Sequence, residues 1–204
     1  METLINAYSG GIESKYNGAF VERYIYSDNG LIKENTKDKY VDICRKNASP
    51  LQLVEKAKEL KNTLAKDPEI NTNVWCVFDK DQFDKGSNPF DKAIELAKEN
   101  EINCAYSNRQ IEVWFLLHLE KFHNKCSADT LINKLNEKLE DKIYTKYSKG
   151  DSEIFEKAFI PNTSIAIANA KDEYNWFIKN KGKRPISEWA SSTNMFKLLE
   201  DLGI

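Results

Sequence analysis

An uninterrupted apolar run, Val-Trp-Cys-Val-Phe at residues 74–78, constrains the fold of this 204-residue chain more than any other feature. Strands that are buried on both faces have this pattern, as do the central strands of parallel sheets. Asp79, Lys80 and Asp81 follow the run directly. Because ligand sites of open α/β sheets lie beyond the carboxyl ends of the strands, we expect both aspartates at such a site.

Helix and strand patterns alternate around this run. Ser49-Pro50 is typical of a helix start, and the helix is expected to continue to about Leu64. Further along, the pattern predicts a helix over about 90–100, a strand over 102–106 and a strongly apolar helix over about 110–122. Short connections between such elements predict an α/β fold, with a parallel sheet flanked by helices.

The rest of the chain has two different patterns. The first forty residues are predicted to be irregular, because Gly, Asn and Asp interrupt short apolar stretches, and residues 40–44 to form a short strand. From Ala128 onward the apolar spacing is helical, with faces at Leu131–Leu139, Ile154–Phe159 and Ile165–Phe177, and a last helix near Asn194–Leu202. We expect one domain over 1–204, with an α/β core over about 1–125 and a helical extension over about 126–204.

Composition limits the classes of function. Hydrophobic residues make up 41%, charged residues 30%, and the net charge is −2, which fits a globular domain and argues against a non-specific coat on nucleic acid. No segment approaches the ~18 apolar residues that span a bilayer, and no leader opens the chain, so we expect a cytoplasmic protein without membrane contact. The four cysteines form no Cys-x-x-Cys pair, so we expect neither a zinc site nor a disulfide framework.

The two aspartates have the chemistry of a magnesium site. Carboxylates one residue apart can share a hard divalent cation that also binds substrate phosphates. Such an ion stabilises charge on phosphate oxygens and lowers the pKa of a bound water. Lys80 is placed to pair with a carboxylate or to contact phosphate. The alternative interpretation is a solvated turn, where Asp and Lys are common.

Residues 105–120, AYSNRQIEVWFLLHLE, add polar side chains at the same sheet edge. Ser107 and Asn108 end the neighbouring strand, and Glu112 follows in an otherwise apolar helix. A carboxylate there is costly unless it is paired or bound to metal. Two interpretations of Glu112 stay open: a catalytic role, and a first-turn glutamate stabilised by helix N–H groups. His118 is expected to be a hydrogen-bonded core residue rather than a ligand.

These segments closely resemble the RloB-like family, which also includes an abortive-infection protein of the AbiL type. The matching residues are VWCVFDKDQF, AIELAKEN, and in order Ser107, Asn108, Glu112, Trp114 and Leu116-Leu117-His118. Tyr147-Ser148-Lys149 and the stretch from Ala166 are similar too, whereas the family usually has proline at the position of Arg109. The resemblance covers roughly residues 40–200.

The resemblance implies a Toprim-like (Rossmannoid) fold and a place in prokaryotic defence against phage, in some members beside an ABC- or AAA-type ATPase. A Toprim site normally joins its Asp-x-Asp pair to a glutamate after the first strand, which acts as general base or metal ligand. The family's Glu-Gly-x-x-Thr-Glu run has no clean copy here. Glu13 is the best positional candidate, Glu22 is a second, and the absence of a third acid is the remaining alternative.

We therefore predict a Mg²⁺- or Mn²⁺-dependent endonuclease that cleaves phage or host DNA or RNA. Asp79, Asp81 and Glu13 are the predicted metal ligands, and Glu112 and Lys80 are further catalytic candidates. The predicted substrate-binding residues are Ser107, Asn108, Arg109 and Lys149. The alternatives are a catalytically weakened Toprim-like module that binds nucleic acid or a nucleotide and acts as adaptor for an effector, and an interaction protein that docks an ATPase. Oligomeric state is left open.

Overall fold

The computed structural model of the chain describes residues 21–27, 30–35, 49–64, 71–80, 89–123, 125–143, 145–149, 151–189 and 191–204. The strands over these residues form one sheet in the order β2-β1-β3-β4-β5. The strands are β1 (Val21–Ser27), β2 (Gly30–Asn35), β3 (Asn71–Asp79), β4 (Asn103–Asn108) and β5 (Ser192–Thr193).

The sheet is parallel in its centre and antiparallel at both sides. Strands β1, β3 and β4 run parallel, whereas β2 and β5 each run antiparallel to the neighbouring strand. The predicted α/β class is confirmed, and the apolar run at residues 74–78 is indeed the central strand. The predicted parallel pairing holds for the central strands, whereas the two outer strands reverse direction.

An N-terminal hairpin corrects the prediction that the first forty residues are irregular. Strands β1 and β2 pair antiparallel from Glu22 with Asn35 to Ser27 with Gly30. The sequence Asp28-Asn29-Gly30 between the two strands is typical of hairpin turns and not only of a break in an irregular segment. The strand predicted at residues 40–44 lies outside the described residues.

One face of the sheet is covered by α1 (Pro50–Leu64) and α2 (Pro89–Glu99). Ser49 begins α1 as predicted: its Oγ accepts from Gln52 N (3.4 Å), and its own N–H donates to Gln52 Oε1 (2.9 Å), a reciprocal cap. The buried side chains on this face include Leu53, Val54, Ala57, Val74, Cys76, Phe78, Phe90, Ala93 and Ala97. This layer fixes the direction in which β3 presents its last residues.

The opposite face packs against the helices that follow β4. These are α3 (Glu112–Leu117), α4 (Ala128–Ile143), α5 (Ser152–Ile154), a π-helical turn (Phe155–Phe159), a 3₁₀ turn (Ile160–Asn162), α6 (Thr163–Lys181) and α7 (Met195–Asp201). The predicted helix over about 110–122 is wrong in length, since α3 has six residues and ends in turns. None of the described helices combines the length and apolar character that a bilayer crossing requires.

The predicted apolar faces of the C-terminal helices are largely confirmed. Leu131, Leu135 and Leu139 are buried on α4, and Ile154, Phe155, Ala158 and Phe159 are buried through the π-helical turn. Ile165, at the start of the third predicted face, is instead 48% exposed. Ile165 directly precedes Ala166 of the buried stripe of α6. This shift of one position around the helix axis is enough to turn its side chain to solvent.

The C-terminal part also returns to the sheet. Strand β5 pairs antiparallel with β4, with Thr193 opposite Ser107 and Ser192 opposite Asn108. The Asn194 side chain extends this pairing: its Oδ1 accepts from Tyr106 N (2.6 Å) and its Nδ2 donates to Cys104 O (2.8 Å). The division of the domain near residue 125 stays a prediction, and residues on both sides of it build the same sheet edge.

Candidate functional site

Asp79 is the last residue of β3 and lies at the carboxyl edge of the parallel strands. Its backbone is paired with Ser107 of β4, and its carboxylate Oδ2 accepts a hydrogen bond from the backbone N–H of Ile111 (3.1 Å). Ile111 directly precedes α3, so the turn after β4 folds back over the end of β3. As predicted, the ends of β3 and β4 meet at one edge of the sheet, and this arrangement positions Asp79.

Glu112 is the first residue of α3 and is 5% exposed. Its Oε1 accepts a hydrogen bond from the hydroxyl of Tyr147 (2.9 Å). Ile111 directly precedes Glu112, and its N–H donates to Asp79. Adjacent residues of one turn therefore bind the Asp79 carboxylate and carry the Glu112 carboxylate. A buried carboxylate needs such a donor, because an unpaired one would lose its hydration without compensation.

Tyr147 connects the two carboxylates electrostatically. Burial, the charge and hydrogen bond of Glu112, and the charge of Asp79 all raise the pKa of Tyr147 well above its usual value. The phenol is therefore a permanent hydrogen-bond donor at physiological pH. Both acids act on this one hydroxyl, which identifies an acidic site formed by Asp79, Glu112 and Tyr147.

Lys80 and Asn108 lie on the other side of the sheet from this acidic site, because side chains alternate along a strand. The Lys80 ammonium donates to the carbonyl of Ser187 (2.7 Å). Asn108 Nδ2 donates to the carbonyls of Ile186 (2.9 Å) and Ser187 (3.0 Å). Both residues thus hold the 3₁₀ turn Ile186–Glu188 against the edge of the sheet.

Ser107, Arg109 and Lys149 differ in accessibility. Ser107 is buried, and its hydroxyl is 3.2 Å from that of Thr193 on β5. Arg109 and Lys149 are exposed. The peptide bond between Asn108 and Arg109 is cis. Of the predicted substrate-binding residues, Arg109 and Lys149 therefore present charge to solvent, while Ser107 and Asn108 pack inside the edge of the sheet.

The predicted metal ligands are only partly described. Asp81 and Glu13 lie outside the described residues. Within the part of the chain that the structure describes, no group of three or more His, Cys, Asp or Glu side chains is arranged to hold a metal ion. Asp79 and Glu112 supply the carboxylate oxygens that Mg²⁺ prefers, and Asp81 follows two residues after Asp79 in the sequence. The type of donor fits a hard cation.

The register of β1 removes Glu22 from the alternatives for a third acid. Glu22 is paired with Thr72 of the parallel strand β3, seven residues before Asp79. At about 3.3 Å per residue this separation is roughly 23 Å along the strand. The backbone position of residue 22 is therefore far along the strand from that of Asp79.

His118 is a core residue, as expected from its Leu-rich surroundings. Its Nδ1 donates to the carbonyl of Trp114 (2.9 Å), and the Trp114 ring packs edge-on against it. Burial lowers the pKa of His118 to about 4, so the imidazole is neutral at physiological pH.

Glu173 on α6 is a buried acid that the sequence interpretation missed. The side chain is 0% exposed, and neither carboxylate oxygen has a hydrogen bond of normal geometry among the described residues. Burial raises its pKa to about 9, and the nearby backbone of Thr193 lowers it by less. Its spacing with Ala166, Ala170 and Phe177, which form the buried stripe of α6, was the available signal.

Comparison with protein families decides where this chain belongs. A family model described as RloB-like protein matches residues 10–202. The chain belongs to the RloB-like family. This match confirms the resemblance seen in the central signature and spans all three residues of the acidic site.

Comparisons of this RloB-like chain with curated proteins and with solved structures found no match.

Proposed function

We propose that this RloB-like protein is a metal-dependent nuclease with a Toprim-like fold that acts in defence against phage. The observation that carries the proposal is the geometry at the carboxyl edge of the parallel strands, where Asp79 accepts from Ile111 N–H and the next residue, Glu112, accepts from the Tyr147 hydroxyl. This is the edge at which α/β folds bind their ligands. Membership of the RloB-like family is consistent with a defence-associated role.

Three acids are proposed to hold Mg²⁺ or Mn²⁺: Asp79, Asp81 and Glu13. The ion would supply Lewis acidity toward a phosphodiester when bound. In the proposed hydrolysis a water oxygen forms a bond to phosphorus, the bond to the leaving oxygen breaks, Glu112 takes a proton from the attacking water, and the leaving oxygen takes up a proton from solvent to depart as an alcohol. Tyr147 orients the Glu112 carboxylate for this transfer. The proposed substrate is phage or host DNA or RNA in the cytoplasm, and an ABC- or AAA-type ATPase is the proposed partner.

A cleavage assay tests this function. Plasmid DNA, single-stranded DNA and tRNA are incubated with the protein in Mg²⁺, in Mn²⁺ and in EDTA. We expect cleavage only with metal, and its loss in the variant Asp79→Asn/Asp81→Asn. The matched control is Asp129→Asn/Asp141→Asn, which makes the same change at two exposed positions of α4. Cleavage that persists in the first variant would rule out the proposed mechanism.

A binding module without catalysis is the second candidate, and one observation favours it. Asp79 and Glu112 already accept hydrogen bonds from donors of the protein, Ile111 N–H and Tyr147 OH. Carboxylates that are satisfied in this way stabilise a fold without any ion. A wild-type protein that binds oligonucleotides and leaves them intact in both metals, with and without an ATPase partner, would support this alternative.

A further inference from the structure

A short basic segment lies at the C-terminal end of α6. Residues 179–184, Lys-Asn-Lys-Gly-Lys-Arg, carry four positive side chains and no acid, although the whole chain has a net charge of −2. We call this segment the basic turn. Lys179, Lys183 and Arg184 are exposed on it. The positive charge is therefore local and faces solvent.

Backbone hydrogen bonds fix the shape of the basic turn. The N–H of Gly182 donates to Ile178 O (3.1 Å), and the N–H of Arg184 donates to Lys181 O (2.8 Å). A Cβ on Gly182 would clash with the carbonyl oxygen of Ile178, so this close approach requires glycine. The chain thus reverses at the end of α6 in one defined conformation.

Aromatic side chains support the same turn from inside. Trp189 stacks on Phe177 with ring centroids 5.8 Å apart, and its Nε1 donates to Lys181 O (3.2 Å). The Lys181 ammonium lies 5.4 Å from the centre of the Phe177 ring. A surface that is already ordered loses less conformational entropy when a ligand binds.

The basic turn is also anchored at the carboxyl edge of the sheet, where its contacts lie on the side opposite to the acidic site. Ser187 lies three residues after Arg184, and its carbonyl accepts hydrogen bonds from Lys80 and Asn108. Lys80 directly follows Asp79. Three residues of chain span at most about 10 Å, so the backbone of Arg184 lies within that distance of Ser187 at the carboxyl edge of the sheet.

We propose that the basic turn binds the phosphate backbone of a nucleic acid beside the phosphodiester that reaches the acidic site. The inference rests on the proposed function for the identity of the ligand as a nucleic acid. Successive phosphates of a helical strand rise about 3.4 Å each, so a segment of ~10 Å spans two or three of them. Glu188, 3.4 Å from Arg184, offsets part of the charge without cancelling that of Lys179 and Lys183.

Oligonucleotide binding at several salt concentrations tests the proposal. Fluorescein-labelled single-stranded DNA and RNA are titrated with the full-length protein in EDTA, so that metal-dependent cleavage does not interfere. In the variant Lys183→Gln/Arg184→Gln we expect affinity to fall on the order of tenfold at physiological salt. We also expect the slope of log affinity against log salt to become shallower by about 1.4, since each single-strand phosphate contact contributes about 0.7.

The matched control is Lys58→Gln/Lys98→Gln, which removes the same charge from exposed positions of α1 and α2. We expect wild-type binding from the control, and unchanged circular dichroism from both variants. The proposal is wrong if wild type binds neither oligonucleotide, if the basic-turn variant binds like wild type, or if the control loses affinity equally. Binding without cleavage in Mg²⁺ would contradict the proposed nuclease alone, and cleavage without any effect of the basic-turn variant would contradict this inference alone.

Discussion

The hydroxyl of Tyr147 donates a 2.9 Å hydrogen bond to the carboxylate of Glu112, across 35 residues of sequence. This contact ties the loop after α4 to the first turn of α3. Removing the hydroxyl leaves a nearly buried carboxylate without that donor, so we expect Tyr147→Phe to lower the free energy of unfolding by about 1–2 kcal/mol. Urea denaturation measures the loss.

A double-mutant cycle isolates this pair. Tyr147→Phe, Glu112→Gln and the double variant are compared with wild type, and we expect a coupling energy of about 1 kcal/mol. Additive effects of the two changes would show that the hydroxyl and the carboxylate contribute independently, and the acidic site would then lose its connecting contact.

Glu173 should make the protein less stable as pH rises. Its pKa is 4.5 in a model peptide and about 9 in the folded protein, so between these values the folded state keeps a proton that the unfolded chain has released. The free energy of unfolding should therefore fall with increasing pH in this window, by up to about 1.4 kcal/mol per pH unit.

Replacement by glutamine tests this dependence, since Glu173→Gln keeps the shape and cannot ionise. Urea denaturation of wild type and variant at pH 5.5, 7 and 8.5 should give a stability advantage for the variant that grows with pH. A difference between the two proteins that stays constant over this range would show that Glu173 does not titrate as described.

His118 should remain neutral in mildly acidic solution. Its pKa falls from the model value of 6.5 to about 4, so between these values the unfolded chain binds a proton that the folded protein does not. Stability should accordingly decrease as pH falls from 6.5 toward 4. Imidazole ¹⁵N shifts measured by NMR between pH 4 and 8 follow the titration, with the exposed His123 as the second histidine signal of the same chain. A His118 midpoint above pH 6 would contradict the burial argument.

Asn194 should contribute more to stability than an ordinary asparagine. Asn194→Ala leaves two partners on β4 without this side chain, the buried Tyr106 N–H and the partly buried Cys104 C=O. We expect a loss of about 2–4 kcal/mol in the free energy of unfolding. Asn180→Ala is the control, because Asn180 is exposed and donates only to a carbonyl of its own helix. Equal losses in the two variants would show that the asparagine does not act as an extension of β5.

The sequence predicted β3, β4 and α1 well because their signals are local. An apolar run with two following aspartates, and a Ser-Pro helix start, each depend on a few adjacent residues. The same holds for the buried leucines of α4, whose spacing alone identifies the core side. Asp79 was located for this reason, since strand and strand end are adjacent in the chain.

The parts that were not predicted depend on contacts between distant residues. Strand β5 has only two residues, too few for a periodic pattern, and exists because β4 supplies its hydrogen bonds. The pairing of Tyr147 with Glu112 joins two segments that no spacing rule relates. Lys80 was expected near the carboxylates from its place between two aspartates, yet side-chain alternation carries it to the other side of the sheet.

The pairing of β4 with β5 also has a consequence during translation. Ser107 and Thr193 are 86 residues apart, which a ribosome adding about 5–20 residues per second covers in roughly 4–17 s. During this interval the backbone N–H and C=O groups on the outer edge of β4 have no strand to pair with, because the residues of β5 have not yet been synthesised. Strands in that condition readily pair with other chains, so newly synthesised copies should depend on chaperones more than the finished fold does.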